Sequence, residues 1–305
     1  MQILVTGGSG LVGKALKDIY DIDNIYFTNS KEHDLRCLLS TESLFNKIKP
    51  TVVIHLAANV GGLYKNINEQ LSIFEDNILI NTNVLKCAYK YGVKKCISCL
   101  STCIFPNEIE YPINEKKLHH GPPHESNFAY SYSKRMLEVH NSIYKDIHKL
   151  DYYCIIPTNI YGFNDNFNLE TGHVIPSLIH QCYLSKLNDR PFIVKGTGKP
   201  LRQFLYVNDL ASIVKWLLDN YESNDNLIIA PPEEYSIQYI SELIAKNMDF
   251  QGEIIYDDSY SDGQYKKTVD TTKLKEVYDY KFTSIENGIR ETVNWFIINY
   301  DNIRK

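Results

Sequence analysis

The amino-acid sequence predicts an α/β protein, a doubly wound parallel sheet followed by a smaller C-terminal domain. Three observations predict it. A β-branched, apolar run at 3–6 leads into a turn containing Gly7, Gly8, Gly10 and Gly13, then a helical stretch to Tyr20. Apolar runs of strand length next alternate with longer stretches of helical spacing, the pattern that builds a parallel sheet covered by helices. Beyond Asn164 this alternation stops and Gly and Pro punctuate the chain.

The elements follow in order. Residues 24–28 read as a second strand, and 41–48 as a helix that Pro50 helps to end, because the residue before a proline is driven out of the helical region. Residues 52–56 form a third strand, continuously apolar as buried parallel strands are. A long helix is expected over 69–91, a strand over 95–100, a helix over 130–147 and a strand over 152–157. Residues 1–163 are therefore expected to form a Rossmann-type unit, whose ligands bind beyond the C-terminal ends of the strands. Residues 164–305 read mainly as a substrate-binding domain, with isolated strands at 192–194 and 253–256. The stretch 204–229 is expected to return to the first unit, and 285–300 has the spacing of a packing helix.

Composition narrows the function. Of 305 residues, 44% are hydrophobic and 23% charged, values that allow a real core. A formal net charge of −5 argues against nucleic-acid or anionic-membrane binding, since either needs a basic face. No apolar run approaches the ~20 residues that span a bilayer, and Met1 leads straight into a strand without a signal sequence. The seven cysteines are odd in number and scattered, which speaks against a disulfide framework. Cys96 and Cys99 form C-x-x-C, but on a strand they point to opposite faces. A cytoplasmic protein with no metal is expected.

Glycines at 7, 10 and 13 let a pyrophosphate approach the backbone, while the helix that follows offers N–H groups and the positive end of its dipole. A plain tight turn is the bland alternative, but the strand before and the helix after supply the context the motif needs. At the end of the second strand NAD users carry an acid for the ribose 2′-hydroxyl. Here Thr28-Asn29-Ser30-Lys31 has none, and Lys31 is a cation that suits a 2′-phosphate, so NADP(H) is expected.

Tyr130 and Lys134 stand four residues apart on one helical face. A tyrosine is a poor acid–base catalyst near neutrality unless a cation stabilises its phenolate, and Lys134 can do that. Upstream, Ser101 follows a buried strand, where its hydroxyl can hold a substrate carbonyl oxygen. On the segments VTGGSGLVG (5–13), HLAANVGG (55–62), STCIFP (101–106) and GPPHESNFAYSYSKR (121–135), the chain resembles the extended short-chain dehydrogenase/reductases. Four more, PTNIYG (157–162), DNFNLETGHVIP (165–176), GTGKPLRQF (196–204) and SDGQYKK (261–267), make it similar to one branch of that family. That branch carries out NADPH-dependent 3,5-epimerisation and 4-reduction of a GDP-linked 4-keto-6-deoxymannose.

The resemblance implies roles for residues at matching positions. Cys103 would be the epimerisation base and His173 the acid; Tyr130 would protonate the C4 oxygen, with Ser101 holding it and Lys134 tuning the tyrosine. Gly7, Gly10, Leu11, Val12, Gly13, Asn29, Lys31, Leu56, Ala57, Ala58, Lys134, Pro157, Asn159 and His173 would surround the cofactor. Asn166, Gln181, Lys195, Arg202, Asp262 and Lys267 would meet the GDP-sugar, the cations taking its diphosphate. Two departures fall here: Gln181 stands where relatives commonly carry Lys or Arg, and Lys195 replaces a common Trp. The family usually pairs two long helices per subunit into a homodimer, here 69–91 and 130–147. Competing readings are another nucleotide-sugar enzyme and a non-catalytic NADP-binding scaffold. A dehydratase would need an Asp-Glu pair where Thr102-Cys103 stands, and a scaffold would be expected to lack the tyrosine or lysine.

Overall fold

The computed structural model describes residues 1–20 and 24–305. The chain opens with β1 (Ile3–Thr6), α1 (Leu11–Ile19), β2 (Ile25–Phe27), α2 (Leu38–Ile48) and β3 (Val52–His55). It continues with α3 (Leu63–Asn68), α4 (Gln70–Lys90), β4 (Lys95–Cys99), α5 (Phe128–His148) and β5 (Asp151–Pro157). The second half holds β6 (Asn159–Tyr161), α6 (Val174–Leu187), β7 (Phe192–Lys195), β8 (Leu201–Arg202), β9 (Phe204–Tyr206) and α7 (Val207–Asn220). Last come β10 (Leu227–Ile229), β11 (Tyr235–Ser236), α8 (Ile237–Asn247), β12 (Ile254–Asp257), α9 (Thr272–Val277) and α10 (Ile285–Asn299).

Six strands form one parallel sheet in the order β10-β5-β4-β3-β1-β2. The chain runs outward from β1 to β2 and then turns back to β3, so the strand order reverses beside β1. That switch point opens a crevice at the C-terminal ends of the strands. Side chains alternate across the sheet. Leu4, Val53, Cys96, Tyr152 and Ile228 pack on one face with Leu44, Val84, Leu85 and Leu137 of α2, α4 and α5. Val5, Ile54, Ile97, Ile155 and Ile229 pack on the other with Leu16 of α1 and Leu210, Val214 and Leu217 of α7. Cys96 and Cys99 fall on opposite faces, and all seven cysteines are free.

The strands read as isolated at 192–194 and 253–256 are not isolated. They are β7 and β12, paired in parallel with Phe192 opposite Ile254. Two short β-runs far apart in sequence carry no local sign of their pairing, which comes from a shared apolar cluster. Phe192 and Val194 are buried there with Ile175, Ile179, Ile240, Ile244, Ile289 and Phe296 of α6, α8 and α10. Within 204–229, β10 joins the six-stranded sheet and α7 packs on α1, whereas β9 pairs with β6 in a separate ribbon. Among the described residues, no helix is long and apolar enough to cross a membrane.

Candidate active site

One cleft of about 1330 Å³ runs from the glycine turn, past the first turns of α5, to the β7–β12 pair. Gly7 adopts φ +70°, and a Cβ there would stand 2.8 Å from Ala57 N, so the turn closes only with glycine. Gly13 does not line the cleft. It works behind the turn, where a Cβ would lie 2.6 Å from Gly7 O and Gly8 Cα, and so lets α1 pack against the strand end. Gly7, Gly10, Leu11 and Val12 line the wall with Asn29, Leu56, Ala57 and Ala58.

Lys31 lies elsewhere: it is exposed and outside the cleft wall. The Asn29 carboxamide oxygen accepts from Lys31 N at 2.9 Å and Glu32 N at 3.2 Å, and this tight turn carries the lysine away. Ser30, His33, Asp34 and Arg36 line that end of the cleft instead. Arg36 donates to Asp34 through Nε and Nη2, both at 2.9 Å, and to Asp76 through Nη1 at 3.3 Å.

A buried chain ties the glycine turn to α5. Thr6 Oγ1 lies 2.8 Å from His55 Nδ1, His55 Nε2 lies 3.0 Å from Asn81 Oδ1, and Asn81 Nδ2 donates to Ser133 O at 3.4 Å. Burial pushes the His55 imidazole down to about 3, so the ring is neutral and can donate to one neighbour while accepting from the other.

Ser101, Cys103, Tyr130, Lys134 and His173 come together on the cleft wall from three segments. Residues 102–104 form a short 3-10 turn after β4, held against α5 by two bonds. Ser131 Oγ donates to Cys103 O at 2.9 Å, and Arg135 Nε donates to Ile104 O at 2.7 Å. Sequence reasoning missed both anchors, although each follows one of the chosen pair inside Tyr-Ser-Tyr-Ser-Lys-Arg. Burial, then Cys103 and Cys99, push the Tyr130 phenol well above the usual tyrosine range. The tyrosine therefore stands as the neutral phenol, the form that donates a proton. Lys134 is buried, with its own ionisation pushed down, and donates to Cys99 O at 2.7 Å; its Nζ is 5.8 Å from the Tyr130 ring centre.

The opposite wall is a set of tied loops. His173 caps α6 and projects into the cleft, where desolvation by the walls and then the Arg304 charge lower its pKa. Its loop is closed by Asn168 Oδ1, which accepts from Glu170 N and Thr171 N, and is bridged to the sheet side by Gly62 N donating to Thr171 O at 2.8 Å. Asn166 lines the cleft and donates to Thr171 Oγ1, and beside it Asp165 is fully enclosed. Asp165 Oδ1 accepts from Asn166 N, Oδ2 has no partner among the described residues, and burial pushes the carboxyl up to about 7. Sequence reasoning chose Asn166 and passed over its neighbour.

Pro157, Asn159, Gln181, Lys195, Arg202, Asp262 and Lys267 complete the lining. Asp262 accepts from Thr197 N and Thr197 Oγ1, both at 2.7 Å, and Lys195 Nζ sits 5.0 Å over the Tyr260 ring. Arg202 spends donors on backbone: Nη1 on Leu201 O and Tyr265 O, Nη2 on Gln264 O. Its Nε and one Nη2 hydrogen remain for a ligand.

Comparison with known proteins shows the family. Residues 3–237 match the NAD dependent epimerase/dehydratase family. A GDP-L-fucose synthase of Dictyostelium discoideum is 49% identical, covering 99% of this chain and 97% of that protein. A probable GDP-L-fucose synthase of Drosophila melanogaster is 47% identical over 100% of this chain and 99% of its own. The crystal structure of a GDP-L-fucose synthetase from Naegleria fowleri bound to NADP superposes with a TM-score of 0.94 at 44% identity, covering 100% of this chain and 97% of that one. The chain belongs to the NAD dependent epimerase/dehydratase family, on the branch that holds the GDP-L-fucose synthases.

Proposed function

We propose that this chain is a bifunctional 3,5-epimerase/4-reductase that converts GDP-4-keto-6-deoxy-D-mannose to GDP-L-fucose with NADPH. The observation that carries the reading is the meeting of Ser101, Cys103, Tyr130, Lys134 and His173 on one cleft, in a chain nearly half identical to GDP-L-fucose synthases along its length. The glycine turn supports a dinucleotide, since Gly7 leaves no room for a Cβ and the backbone is bared at the start of α1. When bound, NADPH supplies the hydride that reduces C4.

The protein's own residues do the proton chemistry. The C4 ketone acidifies the protons on C3 and C5. Cys103 as thiolate takes such a proton: the C–H bond breaks, an S–H bond forms, and the electron pair passes into an enolate whose oxygen Ser101 would hold. His173, across the cleft, returns a proton to the other face of the carbon and inverts it. The neutral Tyr130 phenol then protonates the C4 oxygen during reduction. Lys134, anchored on Cys99 O, stabilises the phenolate left behind and would hold the nicotinamide ribose.

We read 1–163, rejoined by 204–229, as the cofactor unit and the rest of 164–305 as the substrate unit; β10 in the main sheet and α7 against α1 support this. A homodimer is supported by exposed Leu71, Phe74 and Leu79 on α4 and Phe128, Met136, Ile143 and Ile147 on α5, more apolar surface than a lone helix pair should leave in water. Free thiols throughout suit the cytoplasm. Incubating the protein with NADPH and GDP-4-keto-6-deoxymannose tests the reading. Loss of nicotinamide absorbance with formation of GDP-L-fucose is expected; no oxidation would leave a scaffold or an enzyme for another sugar.

A further inference from the structure

Lys267 is a cation that the fold goes to some length to place. Its segment, 264–270, is strapped between the loop after Cys103 and the β8–β9 turn. On one side Tyr111 Oη donates to Lys266 O at 2.6 Å, Gln264 Nε2 to Asn107 O at 3.4 Å and Ile113 N to Thr268 O at 3.0 Å. On the other, Arg202 holds Gln264 O and Tyr265 O, and Gln203 Oε1 accepts from Val269 N at 2.8 Å. Arg202 thus acts as a clamp on the backbone that carries Lys267. Lys267 lines the cleft, interacts electrostatically with Cys103 and Arg202, and among the described residues makes no hydrogen bond or ion pair. Desolvation pushes its ammonium down to about 8, so it keeps its charge near neutrality. A partly buried cation without a partner among the described residues costs free energy unless it awaits an anion.

The groups facing Cys103 show which anion. From α5 come Tyr130, Lys134 and Arg135, and from the strap comes Lys267. Tyr130 is a neutral phenol. Lys134 is committed to Cys99 O and Arg135 to Ile104 O. Among the described residues that face Cys103, Lys267 alone brings an uncommitted charge. We propose that Lys267 is the positioning residue that holds Cys103 as the thiolate for proton abstraction, with Arg202 as the clamp that delivers it. The inference rests on the epimerase reading of Cys103 and goes beyond a diphosphate contact. Cys103 gives its charge up only when it takes the substrate proton, forming S–H, and Lys267 keeps its own proton throughout.

The test is alkylation of Cys103 by iodoacetamide across pH, followed by peptide mass in a Cys37→Ser background, since Cys37 is the exposed cysteine. Lys267→Met should slow alkylation near pH 7 about tenfold and move the pH profile up by about one unit, the low end of what an adjacent charge does. Lys267→Arg should restore most of the rate, and Lys267→Gln repeats the measurement should the Met variant melt early. Solvent deuterium incorporation into the keto sugar should fall in step. An unchanged alkylation profile with only a raised KM for the GDP-sugar would overturn the proposal and leave Lys267 a diphosphate ligand. A shifted profile in a protein that does not turn over this sugar would uphold the Lys267–Cys103 coupling and remove only the substrate.

Discussion

The wall that carries Gly7 to Gly13 and the wall that carries His173, Lys195 and Lys267 are held by different forces. The first is the rim of a six-stranded parallel sheet. Its backbone is fixed by ladder hydrogen bonds, and its apolar side chains are buried on both faces. The second presents the ends of α6, β7 and β12 to the cleft, joined by loops that carry His173, Arg202, Asp262 and Lys267. Asn168, Arg202, Asp262 and Gln203 hold it by bonding to backbone atoms one to sixty-six residues away. Both walls rest on apolar clusters, but the loops of the second are fixed by polar side chains bonded to backbone, some of it distant in sequence. The difference teaches where catalytic power should be concentrated and where stability should be vulnerable, and substitutions can break that division.

The largest effects are expected where the walls meet. Cys103→Ser should abolish solvent deuterium incorporation at C3 and C5, since a hydroxyl is far harder to ionise than a thiol; a loss greater than about 10²-fold is expected for a lost proton-transfer group. Exchange at the parental rate would remove Cys103 from the mechanism. Tyr130→Phe should cut NADPH oxidation by about 10²–10⁴-fold while leaving exchange largely intact, because the phenol serves the reduction. Equal loss of both activities would mean that Tyr130 acts in epimerisation too.

How much of this was legible in the sequence follows the same division. The parallel sheet was readable because buried strands are continuous apolar runs and the helices between them keep a 3.6-residue period; 95–100 and 130–147 differ from β4 and α5 by two residues at most at either end. The pairing of β7 with β12 was not, because no local pattern links residues 192 and 254. Tyr130 and Lys134 were visible from spacing, and Cys103 and His173 only through the family resemblance. Asp165, Ser131 and Arg135 escaped for one physical reason: their significance is enclosure and a backbone partner, neither of which residue type reveals.

Next in size is Asp165. Its carboxyl ionises near 7 when folded and near 3.8 otherwise. Between those values the folded protein holds a proton that the unfolded chain has released, so this group's contribution to stability is full below about 4 and is lost as pH rises through 7. Three units correspond to roughly 4 kcal/mol at most. Asp165→Asn keeps the acceptor for Asn166 N, so it should raise stability at pH 8 by roughly 1–3 kcal/mol and flatten the dependence between pH 4 and 7. Thermal melts at pH 5 and 8 decide it; a variant less stable at pH 8 would show that the carboxylate is favoured in the fold.

On the sheet wall, Gly13→Ala puts a Cβ 2.6 Å from the Gly7 carbonyl oxygen and Gly8 Cα, backbone that cannot swing aside. Overpacking of this kind costs roughly 1–3 kcal/mol. It should lower the melting temperature by a few degrees and weaken NADPH, while KM for the GDP-sugar changes little. If the sugar's KM moved as much as the cofactor's, the walls would not be separable.

The smallest effect is expected at Lys31, and it is the most telling about how the cofactor wall is specified. The residue is exposed and turned from the cleft by the Asn29 turn, so Lys31→Ala should change KM for NADPH by less than about twofold, as exposed charges contribute well under 1 kcal/mol. Arg36 lines the cleft with two of its five N–H donors still free, the others taken by Asp34 and Asp76. It is half exposed and flanked by two carboxylates, so Arg36→Ala should raise KM for NADPH only about two- to fivefold, less at high salt. KM for NADH should not change in either variant. Reversal of the order, with Lys31 dominant, would mean that the cofactor wall too depends on a side chain outside its regular framework, and the contrast between the walls would fail at the cofactor's own phosphate.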